Sequence, residues 1–147
     1  MNSIATTSWE TQLAALLERL SAAQRELLSL LGTKRELLVR RDHAGLSMLS
    51  QREQVLSAEL QACHAERARM LAAADAEGMP HQSLAELTSA LPAAASRELA
   101  QSVDDARRRA RLIHHECLTQ WVAVQRTVLH LAQMLEIIAT RGRTQPT

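Results

Sequence analysis

The sequence predicts an all-α fold: an antiparallel helical hairpin, then a short helix and a long third helix, packed as a coiled-coil-like three-helix bundle in one domain spanning residues 1–147. Three observations predict it. Leucine and alanine dominate, Phe and Tyr are absent, and only 4 Gly and 3 Pro punctuate the 147 residues, a composition of strong helix formers. Apolar residues recur in alternating steps of four and three, the spacing of a coiled-coil seam. Gly78 and Pro80, which both oppose helix, fall together in Asp75–Gln82, the clearest linker of the chain.

The first helix is expected over residues 8–40, opening at Thr7 or Ser8 with Glu10 in its first turn. Its seam reads Leu13, Leu17, Leu20, Gln24, Leu27, Leu31, Lys34 and Leu38, widened by Leu16, Leu28 and Leu37, with Gly32 as its weak point. At Arg40-Arg41-Asp42 the register slips by one residue. Either the helix continues through a stutter, or it stops and Asp42 caps a second, antiparallel helix over residues 42–74. A basic pair suits a helix C-terminus and an aspartate suits an N-terminus, so the hairpin is preferred. Steps of three and four resume at Leu46, Leu49, Glu53, Leu56, Leu60, Cys63, Arg67, Met70 and Ala74. After the linker, residues 75–82, Ser83-Leu-Ala-Glu86 fits a capping box for a short helix over residues 83–91, ended by Pro92. The third helix is expected over residues 93–140, on a seam through Leu99, Val103, Ala106, Ala110, Ile113, Cys117, Gln120, Val124, Thr127, Leu131, Met134 and Ile138. Gly142 is expected to stop it, leaving residues 143–147 as a disordered tail.

Lengths then carry an argument. A second helix of about 33 residues is roughly 50 Å long, and a last helix of about 48 residues roughly 72 Å. If the last helix packs along the hairpin from its base, about 15 residues at its end have nothing of their own chain to cover them. That stretch holds Val128, Leu129, Leu131, Met134, Leu135, Ile137 and Ile138, too apolar a stripe to face water comfortably. The expected partner-binding residues are therefore Trp121, Val124, Val128, Leu131, Met134, Leu135 and Ile138, with Trp121 as the hot-spot candidate. A second copy of the chain would use the same stripe for self-association.

Other chemistry finds less support. His114 and Cys117 have the three-residue spacing of metal ligands on one helix face, and Cys63-His64 offers a second pair. Cys117, however, falls on the seam, where a small thiol is ordinary packing. Neither Glu-x-x-His nor Cys-x-x-Cys occurs, so no metal or other cofactor is expected. A cysteine beside a histidine in sequence does not bring thiol and imidazole together on a helix, and the four glycines are isolated, so no enzyme is expected. The run Arg107-Arg108-Arg109-Ala110-Arg111 follows Asp104 and Asp105 at pairing distance and reads as a solvated face. A net charge of +1 and the scarcity of aromatic residues argue against nucleic-acid binding. The most apolar run, Trp121–Ala139, is interrupted by Gln125, Arg126, His130, Gln133 and Glu136, so no membrane insertion is expected. Two cysteines far apart within helical patterns, and no secretory signal in Met1–Glu10, predict a cytoplasmic protein with buried thiols.

The run Leu27-Leu28, Arg35-Glu36-Leu37-Leu38, Arg41-Asp42, Leu46, Leu49, Arg52-Glu53 and Leu56 resembles FlgN-type flagellar export chaperones. The Gly/Pro linker, the short helix Leu84–Leu91 and the long last helix are similar too, over about residues 9–142. Where the family often has paired asparagines, this chain reads His114-His-Glu-Cys-Leu-Thr-Gln-Trp121. The resemblance implies a cytoplasmic chaperone of flagellar type III export. Such a protein binds the C-terminal helical segments of hook–filament junction proteins of the FlgK and FlgL type and hands them to the export gate protein FlhA. It needs no cofactor.

Overall fold

The computed structural model describes residues 2–143, with side chains described over residues 8–141. It is all-helical: α1 Asn2–Arg40, α2 His43–Ala76, α3 Leu84–Ser89 and α4 Ala93–Arg143, with no strand among the described residues. Helix α1 begins before the expected Thr7 or Ser8, since neither Gly nor Pro stands in the preceding residues to stop it. Helix α4 runs through Gly142, because a single glycine costs a helix about 1 kcal/mol but does not break it. The rest of the expected tail, residues 144–147, lies outside the described residues. By contacts the chain forms two units, residues 1–113 and 114–147, whose boundary falls inside α4, where the seam pattern predicts one domain.

The turn between α1 and α2 is a reversal, not a stutter. The Asp42 N–H donates to the Leu37 carbonyl at 3.0 Å and the Arg41 N–H to the Leu38 carbonyl at 3.2 Å, the paired bonds of a Schellman end. That motif needs a left-handed residue, and Arg41 supplies it at φ 56°. Asp42 then caps α2, its carboxylate accepting from the Gly45 N–H at 2.9 Å. A Cβ on Gly45 would lie 2.8 Å from that carboxylate, which accounts for the glycine. The far end of α2 closes in the same way with the conventional residue: Gly78 sits at φ 72°, and the Met79 N–H donates to the Ala74 carbonyl at 2.9 Å. Ser83 caps α3, its hydroxyl accepting from the Glu86 N–H at 3.2 Å.

Trp9–Glu77, Arg19–Glu59 and Glu26–Arg52 run in opposite senses along the two helices, so α1 and α2 are antiparallel. Arg19 binds Glu59, Glu26 binds Arg52, and Lys34 binds Glu53 at 2.9 Å. The Arg19 guanidinium, by hydrogen bond and charge, holds the Glu59 carboxyl below the usual glutamate range. At the open end, the buried Trp9 donates its indole N–H to Glu77 at 2.9 Å, tying the start of α1 to the end of α2. Beneath it lies the larger core cluster, in which Leu13 and Leu17 meet Met70 and Ala74 of α2, Leu87 of α3, and Leu99 and Val103 of α4. A smaller cluster of Leu27, Leu30, Leu31 and Leu56 fills the hairpin nearer the turn, with Ile113 packed against it.

Between these clusters the contact of α1 with α4 is polar. Gln24 is buried; its amide donates to the Ala106 carbonyl at 3.0 Å, and its carbonyl accepts from Arg109 Nε at 3.0 Å. The same guanidinium donates to the Ser21 hydroxyl at 2.6 Å. Arg109 thus leaves the expected solvated arginine face, while Arg107, Arg108 and Arg111 remain exposed and Arg108 lies 3.6 Å from Asp105. The buried line of α4 changes accordingly. It runs from buried Ala106 to half-buried Arg109 and Ile113, and the expected seam residue Ala110 is exposed.

Two substitutions test this account. Arg41→Gly removes a left-handed arginine and should raise stability to urea by about 0.5–1 kcal/mol. A destabilised variant would mean that the turn is not held by its backbone geometry. Gln24→Ala strips a half-buried guanidinium of one acceptor and should cost about 1–3 kcal/mol in the same measurement. A loss under about 0.5 kcal/mol would show that the polar contact does not hold α4 to α1.

Candidate protein-docking surface

Helix α4 changes character along its length. Up to Ile113 its inward positions, Leu99, Val103, Ala106, Arg109 and Ile113, mix apolar, small and polar side chains that the rest of the unit covers. From Cys117 to Ala139 only Arg126 and Glu136 are charged, and leucine, isoleucine and valine prevail. A run with that pattern is one that folded proteins normally cover. Here it is exposed. Among the described residues 14 large apolar side chains are exposed, and 10 of them lie between Leu118 and Ile138. The other four, Val39, Met48, Val55 and Leu112, are scattered, and scattered surface apolar residues need no explanation.

All seven sequence-predicted residues fall in this stretch and all are exposed: Trp121, Val124, Val128, Leu131, Met134, Leu135 and Ile138. Six of them stand in steps of three and four, so they form one seam along the helix. Met134 lies beside it. Exposure ranges from 40% at Val124 to 67% at Leu135, so no member of the seam is a core side chain of its own unit. Leu118, missed by the length argument, is also exposed, at 51%. Its signal was present: Leu118, Val122 and Leu129 repeat the same step pattern one residue out of phase with the seam.

The two tryptophans divide between structure and surface. Trp9 is buried and hydrogen-bonded, while Trp121 is 60% exposed. The cysteines divide likewise. Cys63 is buried, and burial pushes its thiol above the ordinary range. Cys117, expected in the seam as a packed thiol, is exposed instead. The expected seam residue Gln120 is buried and donates to the Glu116 carboxylate at 3.1 Å. His114 and His115 are exposed as well, and no group of three or more His, Cys, Asp or Glu among the described residues could hold a metal ion. No helix among them is long and apolar enough to cross a membrane.

Fold and surface together describe a helical-bundle protein with an uncovered apolar helix. The family described as FlgN protein matches residues 1–145, nearly the whole chain, and the chain belongs to that family. The FlgN family comprises flagellar export chaperones, which act on hook-associated proteins of the flagellum; it is a chaperone family and not an enzyme family. No curated protein and no solved structure matches the chain.

The cysteine contrast is directly measurable. In native protein a thiol reagent such as 5,5′-dithiobis(2-nitrobenzoate) should modify Cys117 within minutes, whereas Cys63 should react only on unfolding. Rapid release of two equivalents from the native protein would contradict the placement of Cys63 in the core.

Proposed function

We propose that this protein is a cytoplasmic flagellar export chaperone whose α4 seam, Trp121, Val124, Val128, Leu131, Leu135 and Ile138 flanked by Met134, holds the C-terminal helical segments of hook–filament junction proteins of the FlgK and FlgL type. It keeps those segments from premature assembly and hands them to the export gate protein FlhA. The observation that carries the reading is the concentration of exposed apolar side chains on one helix of a chain that belongs to a chaperone family.

The mechanism is reciprocal burial. An amphipathic client helix lays its apolar face along the seam, and each side hides what the other would expose. Covering one leucine or isoleucine is worth roughly 1.5–3 kcal/mol. Association itself costs roughly 4–15 kcal/mol, so several anchors must engage together. A seam six residues long meets that need. Release to the gate then requires only a competitor for the same surface, and no step consumes ATP or makes a covalent bond.

The same seam supports a second reading, a structural or adaptor protein that self-associates through α4, because its spacing from Trp121 to Ile138 is that of a coiled coil. Molar mass across a dilution series separates the two. A tight oligomer that never dissociates would favour the adaptor.

For the chaperone, Leu131→Asp and Leu135→Asp should each weaken client binding by roughly 30-fold or more, as loss of a central apolar anchor does, with far-UV circular dichroism unchanged. A fall in helix content would mean that the seam is core, and the docking assignment would fail.

A further inference from the structure

Within the unit of residues 1–113, a trough of about 680 Å³ stays open between α1 and α4. On α1 it extends from Glu10 to Arg25, roughly 22 Å of helix. Its floor is the buried pair Leu17 and Leu99. Its sides are small, with Ala14, Ser21 and Ala22 on α1 and Ala95 and Ser102 on α4.

The charges of the trough are arranged unlike those of the hairpin. Glu10 and Glu18 line it from α1 and Glu98 from α4, while the cation of the lining, Arg25, stands at the end away from Glu10. Where α1 faces α2, Arg19 and Glu26 each have a partner of opposite sign. Among the described residues none of the four charges in the trough makes an ion pair. Glu10 is half-buried all the same.

Shape and charge together define an occupant. The backbone groups of α1 and α4 are used within the helices, so an extended peptide finds no strand edge to pair with, whereas a helix brings its own hydrogen bonds. Walls of alanine and serine receive the large side chains of a third helix, ridge into groove. The three carboxylates call for cations on its edge. The open segment of α4, from this chain or a second copy, does not supply them, because Cys117–Ala139 carries only Arg126 and Glu136. Nor does the trough fit its own copy, since a two-fold contact needs a self-complementary surface and two concave faces leave each other empty.

We propose that the trough between α1 and α4 docks one amphipathic helix of a further partner protein. Leucine-sized anchors of that helix rest on Leu17 and Leu99, and lysine or arginine on its edge faces Glu10, Glu18 and Glu98. The assignment is independent of the chaperone reading, because the α4 seam selects by apolar spacing and the trough selects by charge.

The test uses the full chain and two synthetic three-heptad peptides with leucine at a and d, one with arginine at e and g and the other with glutamate. Binding is followed by fluorescence anisotropy, folding of each variant by circular dichroism, and molar mass by light scattering. The arginine peptide is expected to bind and the glutamate peptide is not. Glu18→Lys combined with Glu98→Lys should weaken the arginine peptide by about tenfold or more and let the glutamate peptide bind, because the rim charge is inverted. Ala14→Phe, which fills the trough from an exposed position, should weaken the arginine peptide by about tenfold as well, by steric exclusion. Leu131→Asp should leave its binding unchanged. If only Leu131→Asp weakens binding, the peptide sits on α4; the trough inference falls and docking on α4 stands. If the two peptides bind alike, or neither binds, the trough does not select a basic helix and the inference falls. If Ala14→Phe converts a dimer to a monomer, a second copy occupies the trough and the inference is overturned.

Discussion

The hairpin turn constrains everything packed on it. Asp42 can cap α2 only if Arg41 enters the left-handed region, and only then do the last carbonyls of α1 find the N–H groups of Arg41 and Asp42. One residue more or fewer there would rotate α2 by about 100° about its axis. Leu56, Cys63, Met70 and Ala74, the buried line of α2, would then face water. The ion pairs Arg19–Glu59, Glu26–Arg52 and Lys34–Glu53 agree with the observed register. They are largely exposed and each contributes little stability. Their effect is discrimination, since a slipped register would separate every pair at once. Trp9 and Glu77 fix the opposite end, so the hairpin is set at both extremes and filled between them.

Against this frame the first part of α4 is held by a device of a different kind. The arginine of a dense basic run would ordinarily stay in water, yet Arg109 turns inward because Gln24 and Ser21 present acceptors at hydrogen-bonding distance. Gln24 in turn reaches the Ala106 carbonyl. Each group in this chain satisfies another, and none could be shifted along its helix without stranding a buried polar atom. Such a contact specifies alignment more than it adds stability. It also lets α4 carry a small residue, Ala106, at the contact.

Local chemistry was legible in the sequence, and long-range chemistry was not. Asp42 and Ser83 could be read as caps because a cap is made by residues three apart in the chain. Gly78 and Pro80 marked the linker for the same reason. The heptad seam gave the hairpin and its core, since the period alone decides which face is buried. The inward turn of Arg109 could not be read, because its acceptors lie 85 and 88 residues away. From that one missed contact followed the misplaced seam at Ala110. Counting residues also left out Leu118, which is exposed, because a length gives an end and not a face.

The two parts of α4 thus encode recognition by opposite means. Where the chain recognises itself it uses paired charges and a closed polar network, which penalise any register but one. Where it is open, from Cys117 to Ala139, the positions that normally carry such a code hold leucine, alanine, methionine, glutamine and threonine. A surface of that kind discriminates by the spacing and volume of apolar side chains and offers no charge by which to refuse an isostere. On the reading proposed above, one helix could therefore serve more than one client with the same apolar repeat.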